Sequence, residues 1–449
     1  MNDRRLMSLW KECFQPCLTR PGFANFLVIL VGWVLTRGPH AVTEALVVTD
    51  VAGRRHWERF HRFFSRGTWS PDHMGRRVFE QLRQRLDDDV VRVALDDTVA
   101  PKKGAHVFGI GTHIDAVRST RLHRVFVFGH CWVVLAVLVR VPFSSRIWAL
   151  PVLFRLYRNV ADCEKRRAVY KKKTELAREM LDVMVSWTEG LRVELTADAA
   201  YCNDTVCRGL PDRVILFGAM RPDAVLTAAP PLRSDGEGGR PRKRGATLRK
   251  PEKLALDGRT PWLTTKAMLY GRETTVRYKT VVAQWYRATG TRMLRIVVAD
   301  CTTGRLPIRV FFSTDATVDV RTVLETYAGR WGIEVFFREA KQLLGFADSQ
   351  ARREEAVRRV APVVGLLYST LVLWFADGVH LTSIAAPPVR PWYRHKRGLA
   401  FSDVLRAAQR VLGGIDVLDP AHHSENLHQP VPPARKPRAP HDYAERIAA

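Results

Sequence analysis

Two short β-branched runs, each ending in an acid, constrain this chain more than any other feature. Val90–Leu95 runs into Asp96-Asp97-Thr98, and Leu191–Leu195 runs into Thr196-Ala197-Asp198. Runs of this kind read as buried strands, so two carboxylates stand at strand carboxyl ends, where the backbone is rigid. A third acid, Glu334, falls in Tyr327–Lys341, YAGRWGIEVFFREAK. On a helix advancing about 100° per residue, Tyr327, Arg330, Glu334 and Lys341 share an arc of roughly 60°, with Phe336, Ala340 and Leu343 opposite. A carboxylate flanked by two cations and a phenol suits a site that holds a metal ion and grips phosphate beside it. The bland alternative is a surface helix laced with ion pairs such as Glu334–Arg338. The two upstream acids tip the balance towards a site.

Charge narrows the partner. With 71 Lys+Arg against 45 Asp+Glu, the formal net charge is +26, an excess that points first to nucleic acid and second to an anionic membrane surface. The longest apolar run, Val125–Val139, contains His130 and is flanked by Arg124 and Arg140. It is too short and too β-branched for a spanning helix and reads as buried strand, so no membrane partner is expected. The start MNDRRLMSLW is not followed by a signal-type apolar core, and a cytoplasmic protein is expected. Of the seven cysteines, Cys13/Cys17 and Cys202/Cys207 have no matching pair at zinc spacing, which favours reduced structural thiols.

In chain order, residues 1–88 read as helical, over Phe23–Leu35, Val51–Phe64 and from the Ser70-Pro71-Asp72 cap through Leu86. Arginines interleaved with Trp57, Phe60, Phe63 and Phe64 suit DNA binding or a solvated basic face over a packing domain. Strands near Val107–Ile110 and over Val125–Val139 suggest an antiparallel meander, and Cys163–Trp187 reads as a basic-fronted helix. Residues 202–317 read as a β-rich insertion, with strands over Thr274–Arg287, Arg292–Ala299 and Leu306–Phe312 and a basic loop at Arg233–Pro251 whose cations cluster in Arg240–Lys250. Helix returns over Asp315–Leu344, with a break near Gly329–Gly332, and again over Glu354–Ala376. Residues 381–449 form a C-terminal region whose tail, rich in Pro and Arg from about Pro430, is expected to be disordered. The fold class is therefore α/β (α+β).

Tyr327, Arg330, Glu334 and Lys341 match the Y-x2-R-x3-E-x6-K signature of a large group of bacterial insertion-sequence transposases in the DDE superfamily. Leu95-Asp96-Asp97-Thr98 with Lys102-Lys103-Gly104, and Ala197-Asp198-Ala199-Ala200-Tyr201, resemble the first and second acid motifs of the same group. The resemblance runs from about residue 50 to 376. It implies an RNase H-like catalytic domain in two parts, 89–201 and 318–380, around the insertion. It also implies that transposon-end DNA is cut and joined to target DNA with two Mg²⁺ or Mn²⁺ ions, by a homodimer in a synaptic complex. By the same resemblance Asp96, Asp198 and Glu334 are the catalytic metal ligands, and Tyr327, Arg330 and Lys341 grip phosphates.

Asp96 and Asp97 both fit the first motif, and only one can face the site because neighbours on a strand point apart. Asp96 is preferred, from its place in D-x-T and because the Ala94 side leaves more room than the side of Val93 and Leu95. Trp262 and Trp285 suit base stacking or, more simply, strand packing. His130 reads as a satisfied core histidine, while His113 and His123 flank a loop. The rival functions are an inactive DNA-binding derivative and a nuclease that cuts without rejoining.

If the basic excess is a DNA footprint, affinity for nonspecific duplex falls by orders of magnitude between about 50 and 200 mM salt. A flat plot of log K against log salt would remove that reading.

Overall fold

The computed structural model describes residues 2–86, 89–104, 106–115, 118–120, 122–232, 240–300, 308–389, 391–392 and 398–419. The tail from about Pro430, Asp87-Asp88 and residues 233–239 of the basic loop lie outside them.

The described strands form one sheet. In chain order they are β1 (Val90–Pro101), β2 (Gly111–Ile114), β3 (Phe126–Val141), β4 (Ser144–Tyr157), β5 (Arg192–Ala197) and β6 (Val214–Met220), then β7 (Leu263–Leu269), β8 (Arg272–Gln284), β9 (Met293–Asp300) and β10 (Ile308–Ser313). β4, β3 and β1 are antiparallel neighbours, and β5 and β6 follow β1 in parallel. The order β4–β3–β1–β5–β6, three antiparallel strands and then two parallel ones, is the RNase H-like arrangement. β10 pairs antiparallel with β6, and β9, β8 and β7 follow. The β-rich segment therefore continues the sheet, and Val214–Met220, within the range 202–317, pairs with the strand that ends just before Asp198.

Five helices precede the sheet, namely α1 (Asn2–Phe14), α2 (Arg20–Leu35), α3 (Val42–Val48), α4 (Glu58–Arg66) and α5 (Pro71–Arg83). α5 starts where the sequence places it, with the Ser70 hydroxyl accepting from the His73 N–H and Pro71 in the first turn. The helix expected over Val51–Phe64 begins later, at Glu58, after a turn in which Val51 accepts from Arg54 and Arg55. Five later helices matter to the site and its support: α6 (Lys173–Trp187), α7 (Val320–Gly329), α8 (Trp331–Leu343), α9 (Glu354–Ala376) and α10 (Phe401–Leu412). The basic-fronted helix expected from Cys163 is broken by Arg167, whose φ of 51° is left-handed, and resumes as α6.

β4 was not legible, because Pro151 sits in the middle of its run. The ladder accommodates the proline by slipping register between Leu135 and Ala136 of β3, so Ala136 lies beside Pro151 and Leu135 beside Leu153. α9 is long and apolar enough to cross a membrane, yet 94% of that window is buried inside the fold. It is a core helix: Ser369 donates to the Pro151 carbonyl at 2.9 Å, and Tyr368 stacks on Phe401 of α10 at 4.2 Å.

Close backbone approach fixes α5 on the sheet. A Cβ on Gly75 would lie 2.0 Å from the Val152 carbonyl oxygen. Gly75→Ala gains about 1 kcal/mol of helix propensity but must push α5 away from β4, an overpacking cost of about 1–3 kcal/mol. A lower urea midpoint is expected; a higher one would show that α5 does not rest on the β4 backbone.

Candidate active site

Strand register builds the site. β1 and β5 run parallel with Leu95 beside Ala197, so one step further on Asp96 stands next to Asp198. The Asp198 carboxylate accepts the backbone N–H groups of Ala200 at 3.0 Å and Tyr201 at 3.3 Å, a turn that fixes its direction. Asp96 Oδ1 accepts the Asp97 N–H at 2.8 Å.

The third acid arrives from the helices. The chain breaks between α7 and α8 at Arg330, within the expected Gly329–Gly332 stretch, and a Cβ on Gly332 would press on the β4 backbone at 3.0–3.2 Å. Arg330 is 13% exposed and bridges two acids: one amino group donates to Asp96 Oδ2 at 2.5 Å, the other to Glu334 Oε1 at 2.6 Å. Glu334 is thus committed to Arg330, and the pair Glu334–Arg338 does not form. Arg330 Nε is buried without a partner among the described residues.

Burial pushes the Asp96 carboxyl up to about 7; Arg330 opposes this, while the charges of Asp198 and Asp97 add to it. One guanidinium therefore does not fully compensate the acids around it. Lys341 donates to Thr98 Oγ1 at 2.7 Å, on the same face of β1 as Asp96. Burial lowers its pKa against the pull of Asp115. Tyr327 sits in the preceding helix, not on the α8 stripe. Its ring lies 5.7 Å from the Arg330 guanidinium and 4.7 Å from Phe311, and burial raises its pKa to about 12.

Asp97 points to the opposite face. It accepts Lys173 Nζ and the Tyr201 hydroxyl, both at 2.6 Å, with the Cys131 thiol at 3.3 Å. The alternation expected for the pair holds, but not for the reason of room: Val93, Ala94 and Leu95 are all fully buried. What separates the two acids is β5, which brings a third carboxylate beside Asp96, and α6, which brings a cation to Asp97. Lys173 was only part of a basic run in the sequence, and nothing there chose it from Lys171 and Lys172.

The remaining candidates have structural partners. His130 Nε2 pairs with the Phe108 carbonyl at 2.9 Å, and burial drives its pKa down to about 4. Trp285 packs edge-on against Phe312 at 5.6 Å, and Trp262 carries Lys279 and Arg277 over its ring at 4.9 and 5.5 Å. In the basic loop Arg249 pairs with Asp257 and Arg244 covers Tyr286. Lys102 donates to the carbonyls of Ala347 and Ser349 at 2.6 and 2.5 Å, tying the end of β1 to the segment that leaves α8.

The donor set tests the fit of a metal. Asp96, Asp198 and Glu334 offer only carboxylate oxygens, the hard ligands that Mg²⁺ and Mn²⁺ prefer. No group of three or more His, Cys, Asp or Glu side chains among the described residues is arranged to hold an ion as the side chains stand. A cation, Arg330, lies between two of the acids. The acids suit a divalent ion by donor type and by their uncompensated charge, with Arg330 turned aside.

A family model described as DDE superfamily endonuclease matches residues 13–292. That span holds Asp96 and Asp198 and ends before Glu334. No protein of curated function matches the sequence. Among solved structures, the chain has a TM-score of 0.42 and 9% identity with one described as a piggyBac transposase synaptic complex with hairpin DNA, over 95% of this chain and 75% of that one.

The two neighbouring acids differ in how they load the fold. Asp96→Asn relieves a crowded buried carboxylate, and its urea midpoint in chelator is expected at or above wild type. Asp97→Ala strands a half-buried Lys173 and is expected to lose about 1–3 kcal/mol. A reversed order would mean that the acids face the other way.

Proposed function

The chain belongs to the DDE superfamily endonucleases, and from that premise we propose that it is a transposase that hydrolyses a phosphodiester at transposon ends and joins the freed 3′-hydroxyl to target DNA. The observation that carries the reading is that one guanidinium bridges Asp96 and Glu334 at the carboxyl edge of a parallel strand pair whose register sets Asp198 beside Asp96.

Double-stranded DNA, both end and target, is the proposed partner, and the excess of positive charge supports it. A homodimer working at a bacterial nucleoid, in the cytoplasm, completes the proposal. Two Mg²⁺ or Mn²⁺ ions, held by Asp96, Asp198 and Glu334, would activate the attacking oxygen and steady the leaving one.

The protein side chains set the geometry around that chemistry. The turn at Asp198 and the Asp97 N–H aim two carboxylates from rigid strand ends. Arg330 carries a planar fork that matches phosphate as well as carboxylate, so moving it from Asp96 and Glu334 to the scissile phosphate opens the acids and grips the substrate together. Tyr327 supports the guanidinium from below, and Lys341, held at Thr98, adds a second cation on the same face. Water and a DNA hydroxyl are the nucleophiles, so no protein nucleophile is required.

A gel assay on end-bearing duplex with Mg²⁺ separates this reading from its rivals: cut and joined for a transposase, cut only for a nuclease, uncut for an inactive DNA-binding derivative. Asp198→Asn and Glu334→Gln are expected to abolish cutting while DNA affinity stays within a few-fold, because phosphate contacts are untouched. Cleavage at the wild-type rate by either variant would remove the acids from the site.

A further inference from the structure

Away from the acids, a cleft of about 550 Å³ opens between α4 and the segment that joins α8 to α9. Its volume is in the range of ligand sites. Arg62, Arg66, Arg352 and Arg353 line it. Arg62 is paired with Glu58 at 2.7 Å, whereas Arg66, Arg352 and Arg353 make no ion pair among the described residues. Three guanidinium forks are thus available on one concave surface.

Two further features point to an anionic occupant. His40 lines the cleft and is only 6% exposed, yet its Nε2 has no partner among the described residues, while Nδ1 lies 3.6 Å from Asp348. A buried ring nitrogen left unpaired is costly unless something else meets it. The start of α9 also borders the cleft. Arg353 is its N-cap without a side-chain cap, and the first-turn acids Glu354 and Glu355 are drawn onto Arg358 and Arg359. Free amides at a helix start favour anions.

We propose that this cleft is a phosphodiester-backbone site for DNA, separate from the acids and formed jointly by the N-terminal helices and the chain leaving the catalytic helix. The proposal rests on the DNA reading above. The segment that carries Ser349–Arg353 is also the one that Lys102 ties to the end of β1. DNA seated here is therefore gripped by a segment fastened to the strand that bears Asp96.

The test measures fluorescence anisotropy of a labelled 30-base-pair duplex against salt, for wild type and for the variant Arg66→Gln/Arg352→Gln/Arg353→Gln. A control removes the same charge from exposed positions elsewhere, as Arg4→Gln/Arg5→Gln/Arg20→Gln. Each lost phosphate contact lowers the slope of log K against log salt by about 0.9, so the cleft variant is expected to lose about 2–3 in slope and the control far less. The single variants Arg66→Gln and Arg353→Gln, each expected to lose about 0.9, guard against misfolding of the triple.

Equal losses in cleft variant and control would reduce the effect to net charge and overturn the site. An unchanged cleft variant beside a steep wild type would overturn the cleft and leave the DNA reading standing, whereas a flat wild type would remove both. Inorganic phosphate, titrated in parallel at fixed ionic strength, tests the other source of the same chemistry. Thermal stabilisation of wild type but not of the cleft variant, with equal DNA affinity in the two, would assign the cleft to free phosphate and overturn the proposal.

Discussion

Like charges cannot be gathered inside a protein without an answering charge, and that constraint orders the centre of this molecule. β1 carries two consecutive acids on opposite faces, and each face supplies its own cation from a different helix. Arg330 meets Asp96 from the α7–α8 junction, and Lys173 meets Asp97 from the start of α6. The sheet is thereby clamped between two helices through one dipeptide. Breaking the Asp97 contact leaves Lys173 half-buried without its partner, which costs more than the pair contributes when whole, whereas Arg330 keeps Glu334 if Asp96 is neutralised.

The two clamps are not equivalent. Asp97 is fully served, by an ammonium, a phenol and a thiol. The Tyr201 hydroxyl among them belongs to the loop that holds Asp198, so Asp97 positions the second acid without facing the site. Asp96 is buried, shares a single guanidinium with Glu334 and has Asp198 at its side; burial first, and the neighbouring acids after it, shift its carboxyl towards the neutral form. One face of the strand is finished as structure. The other is left short of positive charge, an arrangement found where function outweighs stability.

Much of this was legible in the sequence because it is local. Strand runs ending in acids, the Ser70-Pro71 cap, the break near Gly329–Gly332 and the apolar length of Glu354–Ala376 all follow from spacing and side-chain type. Four things were not local. β4 reads poorly because Pro151 interrupts it, and only its pairing with β3 absorbs the proline. β7 reads poorly because it is largely exposed and polar, and its existence depends on β8. The partner of Asp97 lies on a helix far along the chain, so the strand's own sequence offered only alternation, which separates the two acids without showing what each one meets. The register of β1 against β5 is what places Asp96 by Asp198, and no single segment encodes it.

Charge balance connects the site to its proposed work. Three carboxylates face two cations, Arg330 and Lys341, the latter held at Thr98 on β1. A phosphodiester brings one more negative charge, so substrate entering this arrangement would deepen the crowding of negative charge that adds to the burial already raising Asp96. Two changes relieve it. Arg330 is able to exchange its carboxylates for phosphate oxygens, since its fork fits both and its buried Nε lacks a partner among the described residues. The vacated acids then need positive charge of their own, which divalent ions provide. In the resting arrangement Arg330 stabilises the acids, and the same contact keeps them apart from such ions. On the proposed function, substrate phosphate would compete for the guanidinium, and readiness of the acids would be coupled to the presence of DNA.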